Sequence, residues 1–327
     1  MKFYIVTPTF NALPWLQRCV RSVADQVVDG VEVHHHVQDG GSADGTPAWL
    51  DAWQRGHLGV PGYTFTYESA KDAGMYDAIN IAWEKMPADA FITAHLNSDE
   101  QYLPDALKGV ADTFLRFSTA EIVLGTYIIV DAESRYICHR RPVKPARWRS
   151  QTVCEIITCS CFHRVDVFRE HGIRFNTSYK ALADMVFYRS IVAAQPVFCV
   201  QPGLLTSVFT VTGENLAWSA GADKEWKREM AALPWCVSRS HGVSYRISNL
   251  LRRFADWFAP KTEKKTETAL DEFTTPIVSS RKKTAVEKPA EKESAPAELD
   301  FDFFGVEKKP ATEAMKLADD LLSAALA

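Results

Sequence analysis

Three aspartates stand in turns that follow short apolar runs: Asp39 after residues 31–37, Asp72 after residues 63–67 and Asp99 after residues 91–96. If those runs are parallel strands, their carboxyl ends meet at one crevice, the place where open α/β sheets bind ligands. A single aspartate in a turn ordinarily caps nearby backbone N–H groups. Three of them at converging strand ends favour a site. Asn97 precedes Asp99 by two positions, so both point the same way off a strand terminus and offer hard oxygen donors of the kind Mg²⁺ or Mn²⁺ accepts. Magnesium is often held by one or two carboxylates plus substrate phosphates, and a diphosphate would complete this set. Glu100 is an additional candidate ligand, expected chiefly as a solvated surface carboxylate.

Such a crevice needs a sheet, and the first 135 residues alternate apolar runs with helical periodicity, the pattern of a parallel sheet with crossover helices. Residues 3–7 read as a buried strand. Leu16, Val20, Val23 and Val27 then recur as the stripe of an amphipathic helix after Asn11. Val31, Val33, His35 and Val37 alternate as a second strand, and residues 39–47 form a turn into a helix with Thr46 as cap and Pro47 at its first position. A third strand at 63–67, a helix marked by Met75, Ala78, Ile79 and Ala82, and a fourth strand at 91–96 follow. Residues 122–130 and 136–138 flank a hairpin turn at Asp131 to Ser134.

The chain has 327 residues, long enough for two domains or for one large α/β domain with appendages. Its 37 basic and 41 acidic side chains argue against a general polyanion binder, so no nucleic-acid partner is expected. Seven irregularly spaced cysteines do not form a disulfide framework and read as reduced thiols. Cys159 and Cys161 are expected on one face of a strand, as core residues. The N-terminus reads as too short, and too soon interrupted by Pro8, for a signal peptide, and no apolar run is long enough to span a bilayer. The default expectation is a cytoplasmic location.

The motifs resemble those of the family-2 inverting glycosyltransferases, which bind nucleotide-sugars on a GT-A fold. The resemblance covers roughly residues 1–215 and rests on the segments 7–11, 39–46, 72–80 and 96–100, in that order and spacing. It implies an α/β, Rossmann-like, mixed and mostly parallel sheet flanked by helices. It also implies that Thr7, Pro8, Thr9 and Asp39 hold the nucleoside, with Asp39 accepting from the ring N–H that uracil and thymine share. Asp72 would lie near base or ribose. Asn97-Ser98-Asp99 resembles the metal-binding Asp-x-Asp element with Asn in place of the first carboxylate, leaving Asp99 as the main ligand for Mg²⁺ or Mn²⁺. An inverting transfer also needs a base, and the stretch 175–189 resembles the family segment that carries it, with Asp184 in that role. Ala183 stands where many relatives have an acid. Residues 212–215 are similar to a glycine-bearing loop that contacts the diphosphate, although a simple turn fits equally well.

The implied activity is metal-assisted transfer of a sugar, from a UDP-sugar, to a hydroxyl of a glycan, lipid-linked or protein acceptor. The rival is a catalytically weak nucleotide-sugar-binding or scaffold protein with a partner-docking tail. A nucleotidylyltransferase would need a Gly-rich basic loop where residues 7–11 stand. The Gln/Arg-x-x-Arg-Trp element of processive polysaccharide synthases is missing.

Outside these motifs, His34, His35 and His36 alternate across a strand and cannot all ligate one metal, and His95 reads as a strand residue beside the site. Arg140, Arg141, Lys144, Arg147 and Arg149 read as a solvated loop. Ile247, Leu250, Leu251, Phe254, Trp257 and Phe258 recur at helical spacing among arginines. Packing on the core and lying on the inner face of a membrane both satisfy that pattern. The expected organisation is a transferase domain at 1–215, a helical region at 216–260, a disordered linker at 261–310 and a short amphipathic helix at 311–327. Phe301, Phe303 and Phe304 sit among acids as a candidate docking peptide.

Overall fold

The computed structural model describes residues 1–258, apart from 173, 214 and 216–219. The expected linker at 261–310, the helix at 311–327, the aromatic cluster at 301–304 and Glu214 lie outside the described residues. Strands and helices alternate first as β1 (Lys2–Thr9), α1 (Leu13–Ala24), β2 (Glu32–Asp39), α2 (Thr46–Gly56), β3 (Tyr63–Ser69), α3 (Met75–Glu84) and β4 (Ile92–His95). β5 (Gln101–Tyr102), α4 (Ala106–Arg116), β6 (Ile122–Asp131) and β7 (Tyr136–Arg140) follow. A 3₁₀ turn (Thr158–Ser160) leads into β8 (Cys161–Arg164), α5 (Val165–His171), α6 (Ala183–Ala194) and β9 (Phe198–Val211). Three helices complete the described chain: α7 (Ala220–Ala232), α8 (Trp235–Ser238) and α9 (His241–Phe258).

All these strands join one sheet in the order β3-β2-β1-β4-β8-β6-β9-β5, with β7 paired to β6. β3, β2, β1 and β4 are mutually parallel neighbours, and β8 runs antiparallel between β4 and β6. The chain leaves β1 toward β2 and β3 on one side and returns to β4 on the other. The carboxyl ends of β1, β2 and β4 therefore flank the point where the strand order reverses, which opens a crevice there.

β1 shows why the sheet is covered on both faces. Phe3 and Ile5 pack with Leu16, Val20 and Val23 of α1, whereas Tyr4 and Val6 pack with Tyr76, Ile79 and Ala82 of α3. Successive side chains of a strand point to opposite faces, so a strand buried on both reads as a continuous apolar run. The β6–β7 hairpin forms as the sequence predicts, with Ser134 in the left-handed conformation at its turn (φ 64°).

Four local expectations are corrected. Thr46 is the first residue of α2 and Gly45 occupies the cap position at φ 93°, where a Cβ would be strained. The capping oxygens come from Asp44, which accepts the Leu13 N–H at 2.9 Å and the Thr46 N–H at 3.1 Å, closing the starts of α1 and α2 together. Cys159 and Cys161 pack on opposite sides of the sheet because the 3₁₀ turn interrupts strand alternation between them. All seven cysteines are free.

The basic stretch is a loop that is only partly solvated: Lys144 and Arg147 are exposed, but not all of its cations are. Arg141 and Arg149 are buried, and Arg149 Nε lies 2.8 Å from Glu155 Oε1, a carboxylate that also accepts the Ala146 N–H and the Ser248 hydroxyl. Finally, α9 packs on the domain through its polar side. Ser244 and Ser248 are fully buried and His241 Nδ1 is 2.9 Å from the Thr152 carbonyl, while Leu250, Leu251 and Phe254 are exposed. The side chains of Trp257 and Phe258 lie outside the described residues. Among the described residues no helix is long and apolar enough to cross a membrane.

Candidate active site

β1 and β2 end in register, with Thr9 opposite Asp39, and the Gly40 N–H donates to the Thr9 carbonyl at 2.9 Å. Asp39 is fully buried: its carboxylate accepts the Ser42 N–H, the Ser42 hydroxyl and the Ser69 hydroxyl. The Ser42 N–H reaches both oxygens, so each Asp39 oxygen accepts two contacts. The Thr7 side chain is fully buried. Its hydroxyl lies 2.9 Å from His35 Nε2 of the neighbouring strand β2. Burial holds the His35 pKa down at about 3, so the ring stays neutral. Thr9 Oγ1, by contrast, is buried at the strand end with no hydrogen-bond partner.

Asp72 lies against the β2 turn. A Cβ built on Gly40 would stand 3.0 Å from Asp72 Oδ2 and 3.3 Å from Phe10 Cδ2, so any larger residue would push both side chains aside by a few tenths of an ångström. Partial burial raises the Asp72 pKa. Phe10 is 62 % exposed, an aromatic face open to solvent beside Asp72 and Gly40. Sequence reasoning did not single it out; an aromatic residue after a strand end was the signal available.

The segment after β4 holds one half-buried carboxylate, Asp99, and one fully buried, Glu100. Glu100 is 1 % exposed, which overturns its expected place on the surface. Its Oε2 accepts the Asn97 N–H at 2.8 Å, closing a turn that draws the side chain inward. Glu100 Oε1 and Asn97 Oδ1 are buried without partners. Desolvation raises the pKa of both Asp99 and Glu100, and neither forms an ion pair among the described residues. Asn215, from the loop after β9, donates to Asp99 Oδ2 at 3.3 Å and to the Thr210 carbonyl at 3.0 Å. Asn215 Oδ1 also accepts the Thr212 N–H, so this loop is a hydrogen-bonded turn that reaches Asp99.

An unpartnered amide oxygen beside a desolvated carboxylate fits a divalent cation, which would supply the missing positive charge. Among the described residues no group of three or more His, Cys, Asp or Glu is placed to hold a metal. A cation here would draw its remaining donors from substrate and water. No information is carried by Ser98 beyond its position between these two oxygens, half-buried.

Asp184 sits in the first turn of α6, with its Oδ1 accepting the Met185 N–H at 2.7 Å. Desolvation pushes its pKa up to about 6. The chain leading to it is fastened to the Asp72 side of the crevice. Asn80 exchanges two hydrogen bonds with the backbone of Phe175, and the Tyr76 hydroxyl donates to the Ala181 carbonyl at 3.1 Å. Lys180 Nζ donates to the Ala73 carbonyl at 2.6 Å. From the opposite side Glu225 of α7 accepts three consecutive N–H groups, those of Lys180, Ala181 and Leu182, at 2.7, 3.0 and 3.0 Å. His95 is a buried strand residue packed against Trp83 and Phe175.

This arrangement sits on a stretch that a family model also matches: residues 4–172, just over half of the chain, fit the model of Glycosyl transferase family 2. The chain belongs to that family. Two uncharacterized glycosyltransferases of Mycobacterium tuberculosis, from strains CDC 1551 / Oshkosh and ATCC 25618 / H37Rv, are each 40 % identical to it over 76 residues, 23 % of this chain. The chain spans about a quarter of the length of these curated relatives (26 %). Among solved structures it is similar to S. aureus TarS residues 1–349 in complex with UDP-GlcNAc, with a TM-score of 0.55 and 16 % identity over 84 % of this chain and 71 % of that one. It is also similar to the mannosyltransferase PcManGT from Pyrobaculum calidifontis in complex with GDP-Man and Mn²⁺, with a TM-score of 0.51 and 15 % identity over 77 % of this chain and 71 % of that one. At such identities the likeness establishes the GT-A fold of this family 2 chain.

Within the family 2 chain, Glu225 carried no signal in the sequence, and Asn215 was marked only as part of the 212–215 loop, without its contact to Asp99. Asn215 and Glu225 reach Asp99 and the Asp184 segment across more than forty positions, through contacts that only the folded chain creates.

Proposed function

We propose that this family 2 glycosyltransferase moves a sugar from a UDP-sugar to an acceptor hydroxyl with inversion at the anomeric carbon, assisted by Mg²⁺ or Mn²⁺. The observation that carries the reading is the set of aspartates Asp39 at the end of β2 and Asp72 and Asp99 after β3 and β4, around the reversal of strand order. The ligands held by TarS and PcManGT support a nucleotide-sugar donor and a divalent cation. Uridine suits Asp39, a carboxylate acceptor at the end of β2 that matches the ring N–H of uracil in exchange for one of its internal contacts. Thr9 and the backbone at Pro8 line the nucleoside, Phe10 offers a stacking face for the base, and Asp72 receives the ribose.

Asp99 and Asn97 would hold the cation, with Ser98 between them at the diphosphate. When bound, the cation neutralises charge that develops on the leaving diphosphate. Asp184 takes the proton of the acceptor hydroxyl as that oxygen forms its bond to the anomeric carbon. The bond from that carbon to the diphosphate oxygen breaks on the opposite face, and its electron pair leaves with the nucleotide. A carboxyl with a pKa of about 6 is ionised at neutral pH yet close enough to it to act as an effective base. Glycan, lipid-linked and protein hydroxyls are the acceptor classes, and seven free thiols suit a reducing, cytoplasmic setting.

The test is nucleoside diphosphate release from UDP-, dTDP- and GDP-sugars, with Mg²⁺, Mn²⁺ or EDTA, for the native chain and Asp99→Ala. Release from a UDP-sugar that requires metal and is lost in Asp99→Ala is expected. Metal-dependent binding with no turnover over a broad acceptor panel would assign a nucleotide-sugar-binding scaffold instead. If none of these donors binds, the donor-site reading falls.

A further inference from the structure

A surface helix normally turns its apolar side inward, and α9 does the reverse. Ser244 and Ser248 are fully buried, Ser248 donating to Glu155, and His241 meets the Thr152 carbonyl. Val243, Leu250 and Phe254, spaced seven and four residues apart, share the outward face and are 56 %, 51 % and 45 % exposed. Arg246 and Arg253, also exposed, edge this face on one side. Leu251 on the other side helps to line an open cleft of about 480 Å³ with Val143, Pro145, Val200, Pro202 and Lys144.

Charge is concentrated on the two segments that build this surface. Between Arg140 and Arg149 there is no Asp or Glu, and Lys144 and Arg147 are exposed while Arg141 and Arg149 are buried; between Trp235 and Phe254 there are four Arg, of which Arg246 and Arg253 are exposed, and again no Asp or Glu. The whole chain has an acidic excess, with net charge −4, so the basic bias is local. Trp148 and Trp235 are both exposed here, each with an arginine over its ring. An outward apolar helix face edged by arginines, with exposed tryptophans nearby, has the chemistry of a helix lying in the headgroup region of a bilayer.

We infer that α9 and the adjoining 140–149 segment dock the protein on an anionic membrane surface. Val243, Leu250 and Phe254 enter the acyl boundary and the arginines pair with lipid phosphates. The inference goes beyond the donor-site reading and does not depend on it.

The full chain is mixed with sedimentable vesicles of phosphatidylcholine alone or with about one third phosphatidylglycerol. Binding to the anionic vesicles is expected, weakened by raised salt because exposed charges are screened. The double variant Leu250→Asp/Phe254→Asp should lower the partition coefficient at least tenfold, and Arg246→Glu/Arg253→Glu should remove the preference for anionic lipid. These side chains are exposed, and an unchanged thermal midpoint verifies that each variant is folded. Absence of binding by the native chain, or equal binding by the Leu250/Phe254 variant, overturns the inference. So does loss of a native dimer in that variant without vesicle binding, which would make the face a contact between copies. Vesicle binding that arises only after Phe303→Asp/Phe304→Asp would assign the face to the chain's own acidic aromatic segment, and equally overturns it.

Discussion

Asp184 illustrates how one side chain's surroundings choose between capping and chemistry. In water it would be an ordinary helix-terminal acid; desolvation brings its pKa to about 6. Because the ionised form is the base, kcat/KM is expected to fall as pH drops through about 6, and Asp184→Asn should lower turnover by about 10²-fold or more. A pH–rate profile flat from pH 5 to 8, or near-normal turnover in the variant, would move the base elsewhere. The sign for stability is opposite. A carboxyl whose folded pKa is raised loses stability as pH rises from the unfolded value through about 6, so Asp184→Asn should keep or raise the thermal midpoint. Gly40 gives a second prediction: Gly40→Ala crowds Asp72 and Phe10 and should raise the UDP-sugar Kd severalfold, read by calorimetry. An unchanged Kd would separate that corner from donor binding. The aspartates themselves were legible in the sequence because a turn after a strand is a local pattern. Burial of Glu100 and the internal place of Thr7 were not, since exposure depends on what packs above them.

At the level of elements, α7 holds the entry to α6. Glu225 accepts the three consecutive N–H groups of the segment that leads into that helix. Glu225→Ala should cost about 1–3 kcal/mol of stability. It should also lower kcat with the donor KM unchanged, because the segment it fixes carries Asp184 and not the nucleotide turns. Urea unfolding and steady-state kinetics measure the two effects, and a rise in donor KM alone would place its influence on the other side of the crevice. The helices and strands of the first half were readable from period and turn residues, including the α1 stripe and the β6–β7 hairpin. The cap of α2 was misread by one residue because the carboxylate that does the capping, Asp44, serves two helices at once.

Over the whole molecule, Glu155 is the tie between the basic segment and α9. It pairs with Arg149, with side-chain exposures of 0 % and 8 %, and accepts from Ser248. Removing one partner of a buried pair leaves an uncompensated charge, so Glu155→Ala should destabilise the protein by about 3–5 kcal/mol, measured by denaturant unfolding. A loss below about 1 kcal/mol would mean that water reaches Arg149. The amino-acid order by itself determined the alternating half-sheet, the family resemblance and the three acidic turns, because these rest on short-range periodicity and on motifs whose residues are close in the chain. Folding decided what joins distant segments: the insertion of β8 between β4 and β6, the approach of Asn215 to Asp99, and the clasp of Glu225 on the Asp184 segment. It also decided which side of α9 faces inward. An amphipathic pattern says that a helix has two unlike sides, and the partner that buries one of them, here a carboxylate in need of a hydroxyl, lies about a hundred residues away.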